Sequence, residues 1–124
     1  MDFITNRTQL ISDCKEKLLQ TRSEIINRVQ RSRSAFLTLE KSGDEADQSV
    51  AVLAENEYFA TNTLLQERLY EIDCALERIG TGTFGICEET EEPIEPARLR
   101  AVPWTTLSIE GAEIREEMTK RYAR

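Results

Sequence analysis

Histidine is missing from this 124-residue chain, which excludes Ser-His and Cys-His nucleophilic pairs and every His-ligated metal centre. Cysteine is scarce. Cys14, Cys74 and Cys87 cannot all pair with one another and fit no disulfide framework, which suits a reducing compartment. No apolar run approaches the ~20 residues of a membrane span, and no charged-then-apolar leader opens the chain, so a cytoplasmic protein without a membrane segment is expected. Basic charge is also short, with 16 Lys and Arg against 23 Asp and Glu for a net charge of −7. That balance argues against a nucleic-acid binder and against direct sequence-specific DNA recognition, because phosphate contacts need a surplus of cations. These absences leave a binding protein as the expectation, not an enzyme.

Helix breakers are rationed in a telling way. Residues 4–41 and 45–79 contain neither Pro nor Gly. In the first stretch Ile4, Ile11, Leu18 and Ile25 recur every seven residues, and Val29 and Phe36 continue the stripe after a four-residue step. This is a coiled-coil seam with one stutter. In the second, Tyr58, Leu65, Ile72 and Ile79 form one row, with Leu69 and Leu76 in the companion row. Two such rows joined by a short turn predict an antiparallel helical hairpin over 1–80, each arm on the order of 50 Å long at 1.5 Å per residue. Arms that pair within one chain make a monomer the simplest expectation.

The turn, near 42–49, carries acids. Gly43 suits the left-handed position past a helix end. Asp44 suits the cap of the next helix, and Glu45 and Asp47 suit a first turn that favours negative charge. Residues 1–41 hold eight basic and five acidic side chains, whereas 44–79 hold two basic and nine acidic. Arms of opposite sign attract, yet each exposed pair contributes only ~0.2–1 kcal/mol, so the apolar seam does most of the stabilising. The acidic second arm reads equally well as a solvated face and as a partner-binding one.

Residues 81–124 are expected to form a small globular region. Gly80 and Gly82 end the second arm. Phe84 to Pro96 reads as an acidic β-hairpin or ribbon with Phe84, Ile86 and Ile94 as its apolar contacts. Residues 97–105 read as a connector supplying Leu99, Val102 and Trp104 to a small core. A last helix is predicted from a cap near Thr106 or Ser108 to Tyr122, with Leu107, Ile114, Met118 and Tyr122 as its apolar stripe. The fold class is therefore mainly α, with a hairpin, a small zinc-finger-like region and a C-terminal helix.

Cys87, Thr90, Ser108 and Gly111 occupy the four positions of a C-x2-C-x17-C-x2-C pattern. Four cysteines there would hold a tetrahedral zinc, but one thiolate without histidine cannot. The region reads as a degenerate, metal-free zinc module stabilised by packing of Phe84, Trp104, Leu107 and Ile109. Cys87 itself reads more simply as an inert remnant than as a redox-active thiol. Cys14 and Cys74 read as small hydrophobes flanking the seam.

Several segments together resemble the DksA/TraR family of bacterial transcription factors. They are the hairpin with its Asp-x-x-Asp tip, G-T-F-G-I-C after the second arm, the E-x-P-I and A-R-L-x-A-x-P segments, and L-S-I-E-G-A-E leading into the final helix. The likeness spans nearly the whole chain, and the polar replacements at the zinc positions resemble its zinc-independent branch. The resemblance implies binding to RNA polymerase rather than DNA. It further implies a coiled coil entering the secondary channel, and tip aspartates Asp44 and Asp47 acting near the active site. Ser49 stands where the family tip usually has Ala, which places a hydroxyl at a position expected to be tightly packed. At the family's basic positions for the alarmone ppGpp this chain has Glu71 and Ala112, and a carboxylate repels a polyphosphate, so a weak or absent ppGpp response is expected. A second reading is a Gre-like transcript-cleavage cofactor whose Asp44, Glu45 and Asp47 help hold Mg²⁺ in the polymerase. A third is a competitor that occupies the channel without an active tip.

Overall fold

A computed structural model describes residues 2–41 and 48–122, with the side chains of 2–5 and 40–41 outside the description. Four helices follow in order: α1 (Asp2–Lys41), α2 (Gln48–Thr81), α3 (Pro96–Ala101) and α4 (Ile109–Tyr122). Among the described residues there is no strand, only an isolated antiparallel bridge between Ile86 and Pro93. The fold is mainly α, as the periodicity predicts. Gly43, Asp44 and Asp47 lie outside the described residues, and so does the capping role expected of Asp44.

Two compact units are present. One joins Met1–Leu19 with Glu71–Arg124, and the other is Gln20–Tyr70. In the first, Leu10, Cys14 and Leu18 of α1 and Ile72 and Ala75 of α2 are buried together with Phe84, Ile94 and Leu99. Leu18, Ile72 and Leu99 are completely enclosed. The Cys14 thiol donates to the Leu99 carbonyl at 3.6 Å, and burial pushes its pKa up. Cys14 thus behaves as a core side chain, and all three cysteines are free.

The second unit is thinner. Ile25 is buried, Val29, Leu65 and Leu69 are half-buried, and Phe36 stacks on Tyr58 with ring centroids 4.3 Å apart and planes 4° from parallel. Phe59 meets both rings edge-on. Every described member of the two predicted seams is buried or half-buried, while the side chain of Ile4 lies outside the description.

The end of α2 shows how the sequence redirects the chain. The helix runs through Gly80 and stops at Thr81, and Gly82 takes the left-handed conformation with φ 79°. The Thr83 N–H then reaches back to the Arg78 carbonyl at 2.9 Å, the six-to-one bond of a Schellman motif. Gly85 is left-handed as well (φ 84°), and a Cβ there would press on the Arg7 guanidinium at 2.7 Å and on Leu99.

Two expectations for the C-terminal region are corrected. The β-ribbon over 84–96 is a tight turn with a single bridge, closed by Cys87 N–H to Glu92 O and Ile94 N–H to Gly85 O, both at 2.8 Å. Pro93 has no N–H to extend a ladder, and Ile86, expected inside, is 41% exposed. The connector over 97–105 begins as the helix α3. Pro96 sits at its start, where the missing N–H costs nothing, and Leu99 anchors it in the core. Lys17 Nζ donates to the Arg100 and Ala101 carbonyls at 2.8 and 3.3 Å, satisfying the C-terminal end of α3.

Candidate functional site

Local geometry gathers the four degenerate positions at one point. The turn after α2 carries Cys87 and Thr90, and the start of α4 carries Ser108 and Gly111. Ser108 caps α4: its hydroxyl accepts the Gly111 N–H at 3.0 Å, and its carbonyl accepts the Ala112 N–H at 2.9 Å. The same hydroxyl donates to Cys87 Sγ at 3.4 Å. The Thr90 hydroxyl, in the same turn, accepts the Glu92 N–H at 3.3 Å. A Cβ on Gly111 would overlap Cys87 Sγ and come within 3.3 Å of both Ser108 Oγ and Glu89. Cys87, Ser108 and Gly111 are all buried.

The electrostatics follow from those contacts. Burial of the Cys87 sulfur raises its pKa, but hydrogen bonds from Ser108 and then Thr90, by side chain and backbone, outweigh burial and lower it to about 6. The first turn of α4 abuts the same sulfur, and the helix dipole favours a thiolate there. Chemically, the centre offers one thiolate, two neutral hydroxyls and a residue without a side chain. That donor set does not fit tetrahedral zinc. The described residues also include no group of three or more His, Cys, Asp or Glu able to hold a metal ion.

Contacts that sequence reasoning missed fasten this centre. Arg115 of α4 donates from Nε to Glu89 at 3.1 Å and from Nη2 to Glu88 at 3.2 Å. These two carboxylates, Glu89 first, raise the Arg115 pKa. Glu95 accepts the Ile109 N–H at 3.2 Å, and Arg98 Nε donates to the Leu107 carbonyl at 2.7 Å. Beside α1, Arg100 pairs with Asp13 at 2.7 Å and, with Gln9, holds the Asp13 carboxyl below its ordinary range. Arg115, set among the acidic residues of α4 and following a Glu-rich turn, was the one available signal.

Of the tip residues, only Ser49 is described; it lies exposed in the first turn of α2. Asp44 and Asp47 fall outside the described residues. Glu71 is exposed on α2, and Ala112 is half-buried in the first turn of α4. The predicted α4 stripe is mostly open, with Ile114, Met118 and Tyr122 exposed, because the turn covers only the Gly111 end of that face.

Residues 82–120, which run from the turn after α2 into the last helix, match the family model described as "Prokaryotic dksA/traR C4-type zinc finger". The chain is 36% identical over 114 residues to the RNA polymerase-binding transcription factor DksA of Caulobacter vibrioides, covering 89% of this chain and 78% of that one. The chain belongs to the DksA/TraR family. It is also 35% identical over 118 residues to an uncharacterized protein of Aquifex aeolicus, covering 92% of this chain and 81% of that one. Among solved structures it is similar to transcription factor DksA2 from Pseudomonas aeruginosa, with a TM-score of 0.81 and 32% identity over 92% of this chain and 88% of that one. No described helix is long and apolar enough to cross a membrane.

Proposed function

We propose that this protein is a zinc-independent, DksA-like regulator that binds RNA polymerase in its secondary channel and modulates transcription initiation through Asp44 and Asp47. The observation that carries the reading is similarity over most of both chains to an RNA polymerase-binding transcription factor. Zinc independence is supported by the hydrogen-bonded Cys87–Ser108–Gly111 contact, which joins turn and helix at the point where four thiolates would meet around an ion. A regulatory rather than enzymatic role accords with the lack of histidine and with the names of the similar proteins. The polymerase is the partner, one protein copy acts alone, and DNA is not contacted directly.

The response to ppGpp is weak or absent, because Glu71 presents a carboxylate where a polyphosphate would need a cation. The test is multi-round transcription in vitro on a stable-RNA promoter with purified polymerase, comparing wild type with Asp47→Asn, each with and without ppGpp. Inhibition by wild type, lost in Asp47→Asn and indifferent to ppGpp, is the expected result. Polymerase binding without any effect on transcription would overturn the tip mechanism. Failure to bind polymerase would overturn the whole reading.

A further inference from the structure

The second unit gathers three aromatic rings at one level of the hairpin, where a heptad seam would be served as well by aliphatic side chains. Phe36 of α1 and Tyr58 of α2 stack across the seam, with centroids 4.3 Å apart and planes 4° from parallel. Phe59 stands edge-on to both, 6.1 Å from Phe36 and 5.3 Å from Tyr58. Aliphatic side chains fill a seam in several rotamers, whereas rings that meet face and edge admit few arrangements. The cluster therefore fixes both the separation of the two helices and how each is turned about its axis.

Its place along the arms gives that rigidity a use. On the side away from the turn, Ile25 is buried and Val29, Leu65 and Leu69 are half-buried. On the other side the packing ends. Residues 37–39 of α1 are exposed, and so is every residue of 48–57 except the half-buried Ala54. Even Leu39, Val50 and Leu53 are 65%, 58% and 62% exposed. Among the described residues, the ring stack is thus the last layer in which side chains of both arms are covered.

Beyond it α2 extends back from Tyr58 to Gln48, about 15 Å at 1.5 Å per residue. A tilt of about 5° at the rings displaces the far end of such a lever by about 1 Å. A side chain that acts at a reacting centre must be held within about 0.5 Å of its working place, by neighbours that are themselves locked.

We propose that Phe36 and Tyr58, buttressed by Phe59, are positioning residues whose stack aims the arm ends, and through them Asp44 and Asp47; this role rests on the function proposed above.

The experiment titrates the full chain against purified RNA polymerase in transcription from a stable-RNA promoter. It reads the concentration for half-maximal inhibition and the inhibition reached at saturation. Phe36→Leu/Tyr58→Leu keeps the seam apolar and removes the stack, while Tyr58→Phe keeps the stack. Should circular dichroism show lost helicity in the double variant, Tyr58→Leu alone takes its place. The leucine variant is expected to saturate at the wild-type concentration with inhibition reduced about tenfold, as a displacement of ~1 Å can do. Tyr58→Phe is expected to match wild type in both quantities. A loss of stability alone would instead raise the half-maximal concentration and leave inhibition at saturation intact, overturning the positioning role. Full activity of the leucine variant would overturn it too, as would loss of inhibition in Tyr58→Phe, which would assign the effect to the hydroxyl. In each of these cases wild type still inhibits, so the proposed function stands. Wild type that fails to bind polymerase, or binds without inhibiting, removes the proposed function and this role with it.

Discussion

The Ser108 hydroxyl stands 3.4 Å from Cys87 Sγ while accepting the Gly111 N–H at 3.0 Å, so one side chain both caps α4 and joins it to the preceding turn. In a C4 finger a metal ion makes that join. Here it is made by an oxygen, a nitrogen and a sulfur.

Gly111→Ala is expected to destabilise the fold by about 1–3 kcal/mol, because the added Cβ collides with the Cys87 sulfur in a site already closely packed. Urea denaturation measures the loss. Removing the sulfur as well, in Cys87→Ala/Gly111→Ala, should recover part of it. Equal losses in Gly111→Ala with and without the sulfur would show that the collision is not the cause.

Chelation should leave the thermal midpoint unchanged. On the zinc-independent reading proposed above, the Ser108–Cys87 contact replaces an ion, in contrast to C4 fingers that unfold without metal. A fall in midpoint after dialysis against a strong zinc chelator, restored by added zinc, would contradict this account.

Stability should also depend on pH through Cys87. Its folded pKa of about 6 lies below the ordinary thiol value of 9.0, so the folded state favours the thiolate. The stabilisation is complete above about pH 9 and is lost as pH falls towards 6. Urea midpoints between pH 6 and 8 should therefore rise with pH in wild type and flatten in Cys87→Ala. A slope that survives the substitution would assign it to another group.

Arg115→Ala should cost about 0.2–1 kcal/mol for each of its two half-exposed pairs with Glu88 and Glu89, and less in high salt. By contrast, Leu99→Ala removes a completely enclosed side chain and should cost about 2–5 kcal/mol whatever the salt. Thermal melts of both variants at low and high ionic strength would separate the two effects.

The helical hairpin was legible because burial of a seam imposes a period, and Leu18, Ile25, Leu65 and Ile72 carry it plainly. The meeting of Cys87, Ser108 and Gly111 was legible because their spacing singles out the turn after α2 and the start of α4, which pack on each other. Helix α3 was not legible, since six residues are too few to display a period and Pro96 reads first as a breaker. The β-ribbon was an over-reading of alternation around Ile86, whose side chain faces solvent. Contacts such as Arg115 with Glu88 join residues 27 apart, and no local pattern announces them.

The unit that joins Met1–Leu19 to Glu71–Arg124 has a consequence for how the protein is made. Lys17 emerges from the ribosome long before the α3 carbonyls it will satisfy, and Arg7 before the Gly85 turn it will cover. The start of α1 must therefore wait, its apolar side exposed, until synthesis is nearly finished. Assembly of that core is a late event on this chain, and α3 completes what the first helix begins.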